Sequence, residues 1–282
     1  MIRPATFNRL TARVNLNSKV NNWLTLTSST LLSRANTYGV TDNAGVAKGG
    51  VVLSALATPP TVGKYRPDGS VAQNPLTGWE NPLGAIEGTR NKNTSDRILS
   101  NLGMDIRLWK GLVYQSRLGI DYQTNLYNSF LDPFMTQDGR NNKGRITETR
   151  NTQLIWLSEQ LLNYSVNWHK NRLTALAGWT AQDSHFDETS VSGTVINASY
   201  RHESYSKILM LAQTKNAPTK TVDDWALMSY LGRVTYDYAG KYLLQGNVRM
   251  DRSSKFAPGN RNATFPSFSG GWRISQEDFL GM

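Results

Sequence analysis

Leu112-Val113-Tyr114-Gln115-Ser116-Arg117-Leu118-Gly119-Ile120-Asp121-Tyr122-Gln123 is the stretch that decides the fold. Its even positions read Leu, Tyr, Ser, Leu, Ile, Tyr, and its odd positions read Val, Gln, Arg, Gly, Asp, Gln. Successive side chains of a β-strand point to opposite faces, so this period of two gives a strand with one face fit for hydrocarbon and one fit for water. The same rhythm recurs at residues 8–17, 23–34, 96–109, 153–168, 172–183, 225–238, 241–252 and 264–275, which with 112–126 makes nine stretches. Their connections alternate. Residues 18–22, 110–111, 169–171 and 239–240 are short breaks, whereas 35–95, 127–150, 184–224 and 253–263 are long. Antiparallel strands with tight turns on one side and long loops on the other are the pattern of a transmembrane β-barrel wall, with the tight turns in the periplasm and the loops outside. The predicted fold class is therefore all-β: an antiparallel transmembrane β-barrel wall of about nine strands.

The aromatic residues give a second, independent indication. Trp23, Trp109, Tyr164, Trp168, Tyr238 and Tyr242 all fall beside the short turns. Rings at one common depth form a girdle in the headgroup layer of a membrane. Strands favour aromatics in any case, but not preferentially at one end.

Bulk properties agree with this reading. The mean hydropathy is -0.47 and no run of about 18 apolar residues occurs, so a membrane helix is not predicted. Half-polar strands of about 9–11 residues cross a bilayer without any hydropathy signal. The chain has no cysteine, which removes disulfides, thiolate metal sites and cysteine nucleophiles. His169, His185 and His202 are scattered, so no metal or other cofactor is expected. The formal net charge of +10 comes from arginines spread along the strands, many at polar parity (Arg13, Arg97, Arg107, Arg117, Arg233, Arg249, Arg273). Nucleic-acid binding needs a basic run or face, so none is expected; a barrel interior lined with arginine accounts for the charge. The expected lumen-facing groups are Arg117, Asp121, Arg233, Arg249 and Asp251.

Catalytic chemistry finds no foothold. Asp121, Glu159, Asp237 and Asp251 sit at polar parity, but nothing brings a particular pair to the separation glycoside hydrolysis requires. Asp138-Gly139-Arg140 and Gly259-Asn260-Arg261-Asn262 have no following helix to make a phosphate cradle. Neither Gly-x-Ser-x-Gly nor His-Glu-x-x-His occurs. An enzyme is not expected. In the long loops, residues 49–57 are predicted as a short helix stopped by Pro59-Pro60, and Tyr65, Trp79, Tyr200 and Tyr205 are candidates to touch a ligand, with loop packing as the plainer alternative.

Four ordered segments carry a family resemblance. They are Leu53-Ser-Ala-Leu-Ala-Thr-Pro-Pro-Thr-Val62 with Asn81-Pro-Leu-Gly-Ala-Ile86; Lys110-Gly-Leu-Val-Tyr-Gln-Ser-Arg-Leu-Gly-Ile-Asp-Tyr122; Ser229-Tyr-Leu-Gly-Arg-Val-Thr-Tyr-Asp-Tyr238 with Lys241-Tyr-Leu-Leu244 and Arg249-Met-Asp-Arg-Ser-Ser-Lys-Phe256; and Phe265-Pro-Ser-Phe-Ser-Gly-Gly-Trp-Arg-Ile-Ser275. Together they resemble the SusC/RagA family of TonB-linked outer-membrane proteins of Bacteroidetes-type bacteria, with Met250 standing where the family often has alanine. The resemblance implies an importer of glycans or peptides in the cell outer membrane. It further implies a 22-stranded barrel closed by an N-terminal plug, coupling to the TonB complex, and a SusD-like surface lipoprotein as lid. Residues 1–282 are expected to be part of the barrel domain. The opening Met1-Ile-Arg-Pro-Ala-Thr6 is no secretory signal, so signal peptide, plug and the C-terminal half of the barrel are expected to lie outside this chain. Two other readings stay open at this point: a soluble all-β carbohydrate-binding module or hydrolase, and a smaller outer-membrane adhesin or assembly barrel.

Overall fold

The computed structural model describes residues 5–39, 51–75, 81–197, 209–277 and 279. Nine long strands form one continuous antiparallel wall: β1 (Thr6–Lys19), β2 (Leu24–Gly39), β3 (Thr89–Trp109), β4 (Leu112–Leu131), β5 (Arg145–Trp168), β6 (Asn171–Ile196), β8 (Thr219–Tyr238), β9 (Tyr242–Ser253) and β10 (Asn262–Trp272). A short strand, β7 (Ala212–Lys215), lies off this path and pairs with the far end of β6 at Gly193, Thr194 and Ile196. Each wall strand pairs with its neighbour in sequence, so the alternation of short and long connections puts all the tight turns on one rim.

The tight turns follow from local chemistry. The β3–β4 turn is Lys110-Gly111, and Gly111 sits at φ 81 with its carbonyl accepting from Ser165 N at 2.8 Å. A Cβ there would run into the Ser165 carbonyl, so glycine is required on both backbone and steric grounds. The β5–β6 turn bends through His169 at φ 51, and the β8–β9 turn through Ala239 at φ 58 and Gly240 at φ 70; Asp237 steadies the latter by accepting from Gly240 N at 2.7 Å.

Register fixes which residues share a face, because directly opposed residues of an antiparallel pair point the same way. One face carries Leu10, Val14 and Leu16 on β1; Leu24, Leu26 and Leu32 on β2; and Ile98, Leu102, Met104, Ile106 and Leu108 on β3. It continues through Leu112, Leu118, Ile120 and Tyr122 on β4, Leu154, Trp156 and Leu162 on β5, and Leu173, Ala175, Ala177, Trp179 and Ala181 on β6. On the last strands it holds Met228, Tyr230, Val234 and Tyr236, then Leu244, Val248 and Met250, then Phe268 and Trp272. On each strand this apolar stretch begins at the tight turn and lasts roughly 9–11 residues, the length a tilted strand needs to cross hydrocarbon. Many of its members stand open, among them Leu10 at 77%, Leu244 at 59% and Phe268 at 87% exposure. Among the described residues no second layer covers them, which a water-facing surface tolerates only over small patches. This is a transmembrane wall, and its apolar face is the lipid face.

The wall strands are longer than the alternation predicts. β4 continues to Leu131, β5 starts at Arg145, β6 runs to Ile196 and β8 starts at Thr219, so much of residues 127–150 and 184–224 is paired strand rather than loop. The physical reason is that both faces meet water above the bilayer. Residues such as Thr147, Glu148, Thr149 and Arg150, opposite Ser192, Val191, Ser190 and Thr189, have no reason to alternate.

Beyond the bilayer the chain builds a compact cap. Helix α1 (Val51–Ala57) matches the expected short helix within the described residues; α2 (Pro82–Gly88) and α3 (Gln137–Asn142) are further single turns. Asn81 caps α2 by accepting from Leu83 N at 2.9 Å, with Pro82 in the first turn. Buried Asn74 donates to Ala57 O at 3.0 Å, tying the end of α1 to the loop. Asp132 N donates to Gly88 O at 2.7 Å, joining the loop after β4 to α2. Gly88 is obligatory there, since a Cβ would meet Met135. The apolar core of this region is Phe130, Ile146, Ile196 and Ala212, with Leu209 against it.

Candidate functional site

The face opposite the lipid face carries paired charges and amides. Arg97 donates twice to Asp121, Nε to Oδ1 at 2.8 Å and Nη2 to Oδ2 at 2.6 Å. Arg117 pairs with Asp105 at 2.6 Å and also donates to the carbonyls of Met104 and Ser116. Asp105 accepts from Gln115 Nε2 at 3.2 Å, and Gln115 Oε1 accepts from Asn163 at 2.8 Å. Arg233 donates to Asn247 at 2.7 Å, and Asn247 donates to Ser267 at 3.1 Å. Arg249 donates to Asp251 at 2.7 Å and to the fully buried Ser229 hydroxyl at 3.1 Å.

All five sequence-selected groups, Arg117, Asp121, Arg233, Arg249 and Asp251, therefore lie on the polar face, each held by a neighbouring strand or by its own. The partners Asp105 of Arg117 and Asn247 of Arg233 carry no motif; only the register identifies them. Glycine makes room for this lattice. A Cβ on Gly103 would crowd the Thr27 hydroxyl and the Arg117 side chain, so the guanidinium lies across a residue with nothing above its backbone.

The polar face is not uniformly polar. Leu99, Ile155, Leu157, Leu161, Leu176, Leu227 and Leu231 share it by register. Leu157 fills the space beside Gly119, whose built Cβ would sit 3.5 Å from Leu157 Cβ. The lipid face is likewise interrupted by Thr30, Ser100, Ser116, Ser158 and Gln160. These mostly satisfy one another: Thr30 with Ser100 at 2.9 Å, Gln160 with Ser158 at 3.0 Å, and the Tyr114 hydroxyl with Gln160.

The six selected aromatics sit where the sequence placed them, at the tight-turn rim. Tyr238 and Tyr242 stack at 6.2 Å between ring centroids, and Tyr242 stacks on Trp272 at 6.4 Å. Tyr164 lies opposite Leu112, Trp168 opposite Asn171 and Trp109 opposite Leu112, while Trp23 immediately precedes β2. Trp272 belongs with them and was missed, although it ends its strand as the others do. Glu277 closes this end, accepting from Tyr242 Oη at 2.7 Å, Trp272 Nε1 at 3.0 Å and Lys241 Nζ at 3.1 Å. These donors, the Tyr242 hydroxyl foremost, hold the Glu277 carboxyl down to about 2.

Of the loop candidates, Tyr65 is exposed and donates to Glu87 at 3.3 Å. The charge of Glu87 raises the phenol above its ordinary range. Trp79, Tyr200 and Tyr205 lie outside the described residues.

No family model matches the chain. TonB-dependent receptor P39 of Formosa agariphila is 26% identical over 99% of this chain and 26% of its own length. TonB-dependent receptor SusC of Bacteroides thetaiotaomicron is 27% identical over 78% of this chain and 21% of its own. The fold superposes on the RagAB peptide importer in its open-open state with a TM-score of 0.79 at 21% identity, covering 99% of this chain and 31% of that one. The chain thus spans about a quarter of the length of the curated relatives it matches. The relatives' names, the wall and its one-sided turns agree: the chain is similar to TonB-dependent receptors, SusC among them, and shares the wall fold of the RagAB importer.

Proposed function

We propose that this wall is part of an outer-membrane TonB-dependent importer of large nutrients, either glycans or peptides. The observation that carries the reading is the two-solvent wall itself. Nine consecutive strands each carry an apolar stretch of membrane length on one face, and the other face holds a lattice of paired charges and amides. A solute-conducting barrel needs this arrangement, and an adhesive module in water does not. The aromatic residues at the tight-turn rim then serve as the periplasmic girdle, and Arg117, Asp121, Arg233, Arg249 and Asp251 face the lumen or a plug within it. Substrate enters from the cap side, where Tyr65 is exposed. A SusD-like surface lipoprotein covers that side, and the TonB complex supplies energy through a part of the protein that precedes this wall.

Because the chain has no cysteine, single cysteines report cleanly. In the protein that carries this wall, labelled in intact outer membranes, Arg117→Cys reacts with a charged, water-soluble maleimide. Leu118→Cys reacts only with an apolar one. Equal reaction of both positions with the charged reagent sinks the membrane reading. TonB-dependent accumulation of labelled oligosaccharide or labelled peptide then separates the two substrate classes.

A further inference from the structure

A cavity of about 310 Å³ opens on the lipid face at the outer limit of the apolar band, between β5, β6, β8 and the β9–β10 turn. Its floor is apolar: Trp156, Ala181, Ala226 and Met228. Its outer rim is ionic: Asp183 on β6, Arg252 on β9 and Arg261 just before β10. The wall is built rather than incidental. Ser254 N donates to Ala226 O at 2.9 Å and Ala226 N donates to Ser254 Oγ at 2.8 Å, which locks the turn against β8. Arg261 is held from behind, with its carbonyl accepting from Ser253 N at 3.0 Å and its Nε donating to Phe256 O at 3.0 Å. The Arg261 terminal nitrogens, the Arg252 guanidinium and the half-buried Asp183 carboxylate have no protein partner among the described residues. Two cations and one anion thus stand without a charge partner among the described residues around one apolar pocket, a set of charges complementary to a ligand that carries both signs.

We propose that this pocket holds one membrane lipid whose headgroup carries both a phosphate and an amine. Arg252 and Arg261 take the phosphate, for which guanidinium forks are suited. Asp183 takes the ammonium, and the chains descend over Trp156 and Met228. Depth, charge and apolarity all match: the rim lies where the outward residues change from Met228 and Met250 to Asp224 and Arg252 along β8 and β9, the level at which a lipid's phosphate comes within reach of a guanidinium. Gly259–Asn262, which has no helix to make a nucleotide cradle, here supplies a phosphate ligand by a different route.

The inference rests on the membrane reading above, and its test separates the two. The protein carrying this wall is placed in nanodiscs of equimolar phosphatidylethanolamine and phosphatidylglycerol, and retained lipids are counted by native mass spectrometry. The expected result is one retained phosphatidylethanolamine, favoured at least about fivefold, the worth of one surface charge. Asp183→Asn removes the preference while a phospholipid is still retained, R252Q/R261Q abolishes retention, and Lys92→Gln, higher on the same face, changes nothing. Inorganic phosphate at millimolar concentration does not displace the lipid. Equal retention of the two lipids by the wild type, or retention unchanged in R252Q/R261Q, overturns the lipid site while leaving the membrane reading standing. Displacement by phosphate alone overturns the lipid as occupant. Failure of the wild type to enter nanodiscs overturns both. Should R252Q/R261Q not fold, the wild-type lipid preference and Asp183→Asn still decide.

Discussion

Leu118→Arg is the sharpest test of the two-faced wall. Leu118 lies on the lipid face, opposite Leu102 and Ser158, and is 49% exposed with no protein to cover it. It is the fourth outward residue up from the tight turn of β4, after Leu112, Tyr114 and Ser116. At about 3.4 Å per residue the strand has climbed roughly 20 Å from Leu112, and a 45° tilt makes that roughly 14 Å of depth. This is close to the middle of an apolar band about 25 Å tall. An arginine facing lipid at the midplane costs about 2–4 kcal/mol, falling to about 0–1 kcal/mol at the interfaces. The same substitution at Thr124, also outward but three positions higher on that face, meets headgroups and costs about 0–1 kcal/mol. The difference, about 1–4 kcal/mol, shifts the folding equilibrium in the bilayer by about 5- to 700-fold, at about 1.4 kcal/mol per decade. The assay is urea titration of the protein carrying this wall in lipid vesicles, followed by tryptophan fluorescence and the heat-sensitive mobility of the folded form. Equal losses for Leu118→Arg and Thr124→Arg, or a loss below 1 kcal/mol at Leu118, refute the assigned depth and face.

Two further expectations concern the rim and the lumen. Because the Glu277 carboxyl is lowered from 4.5 to about 2 by its three donors, its contribution is present above pH 4.5 and is lost as pH falls through about 2; E277Q flattens this loss, and near-UV circular dichroism of the Tyr242–Trp272 stack between pH 5 and 2 shows whether it does. Gly103→Ala forces Thr27 or Arg117 aside, with an overpacking cost of about 1–3 kcal/mol. The nearest atom is the Thr27 hydroxyl oxygen, so adding Thr27→Ala to Gly103→Ala restores part of the urea midpoint, and no rescue argues against the clash.

The wall was legible because the bilayer writes a strict period into each crossing. Ile98 to Leu108 and Leu112 to Tyr122 alternate for as long as hydrocarbon is on one side, and the tight turns bracket them. The strand ends were illegible for the complementary reason: from Thr124 or Thr152 upward both faces are wet, so Asn125, Asn151 and Glu188 pair across strands without patterning. The charges of the polar face could be assigned to that face from parity alone, but their partners depend on register. Arg97 meets Asp121 across one strand boundary, whereas Arg249 turns along its own strand to Asp251. Nothing in spacing separates those two outcomes. The outer pocket was illegible too, because Asp183, Arg252 and Arg261 come from three separate segments and each reads alone as an ordinary solvated charge.

The two edges of the sheet set the largest energetic demand on this wall. Among the described residues β1 pairs with β2 alone and β10 with β9 alone. Each therefore presents a row of backbone donors and acceptors at the depth of Leu10–Leu16 and of Phe268. In hydrocarbon every such unpaired group costs several kcal/mol, far more than the roughly 0–1 kcal/mol of any lumenal ion pair. Closure by further strands is thus the dominant energetic demand on this wall, and the lumenal lattice is a consequence of it. Once both edges are paired, the polar face is cut off from lipid, and Arg97, Arg117, Arg233 and Arg249 are held in water by short local bonds.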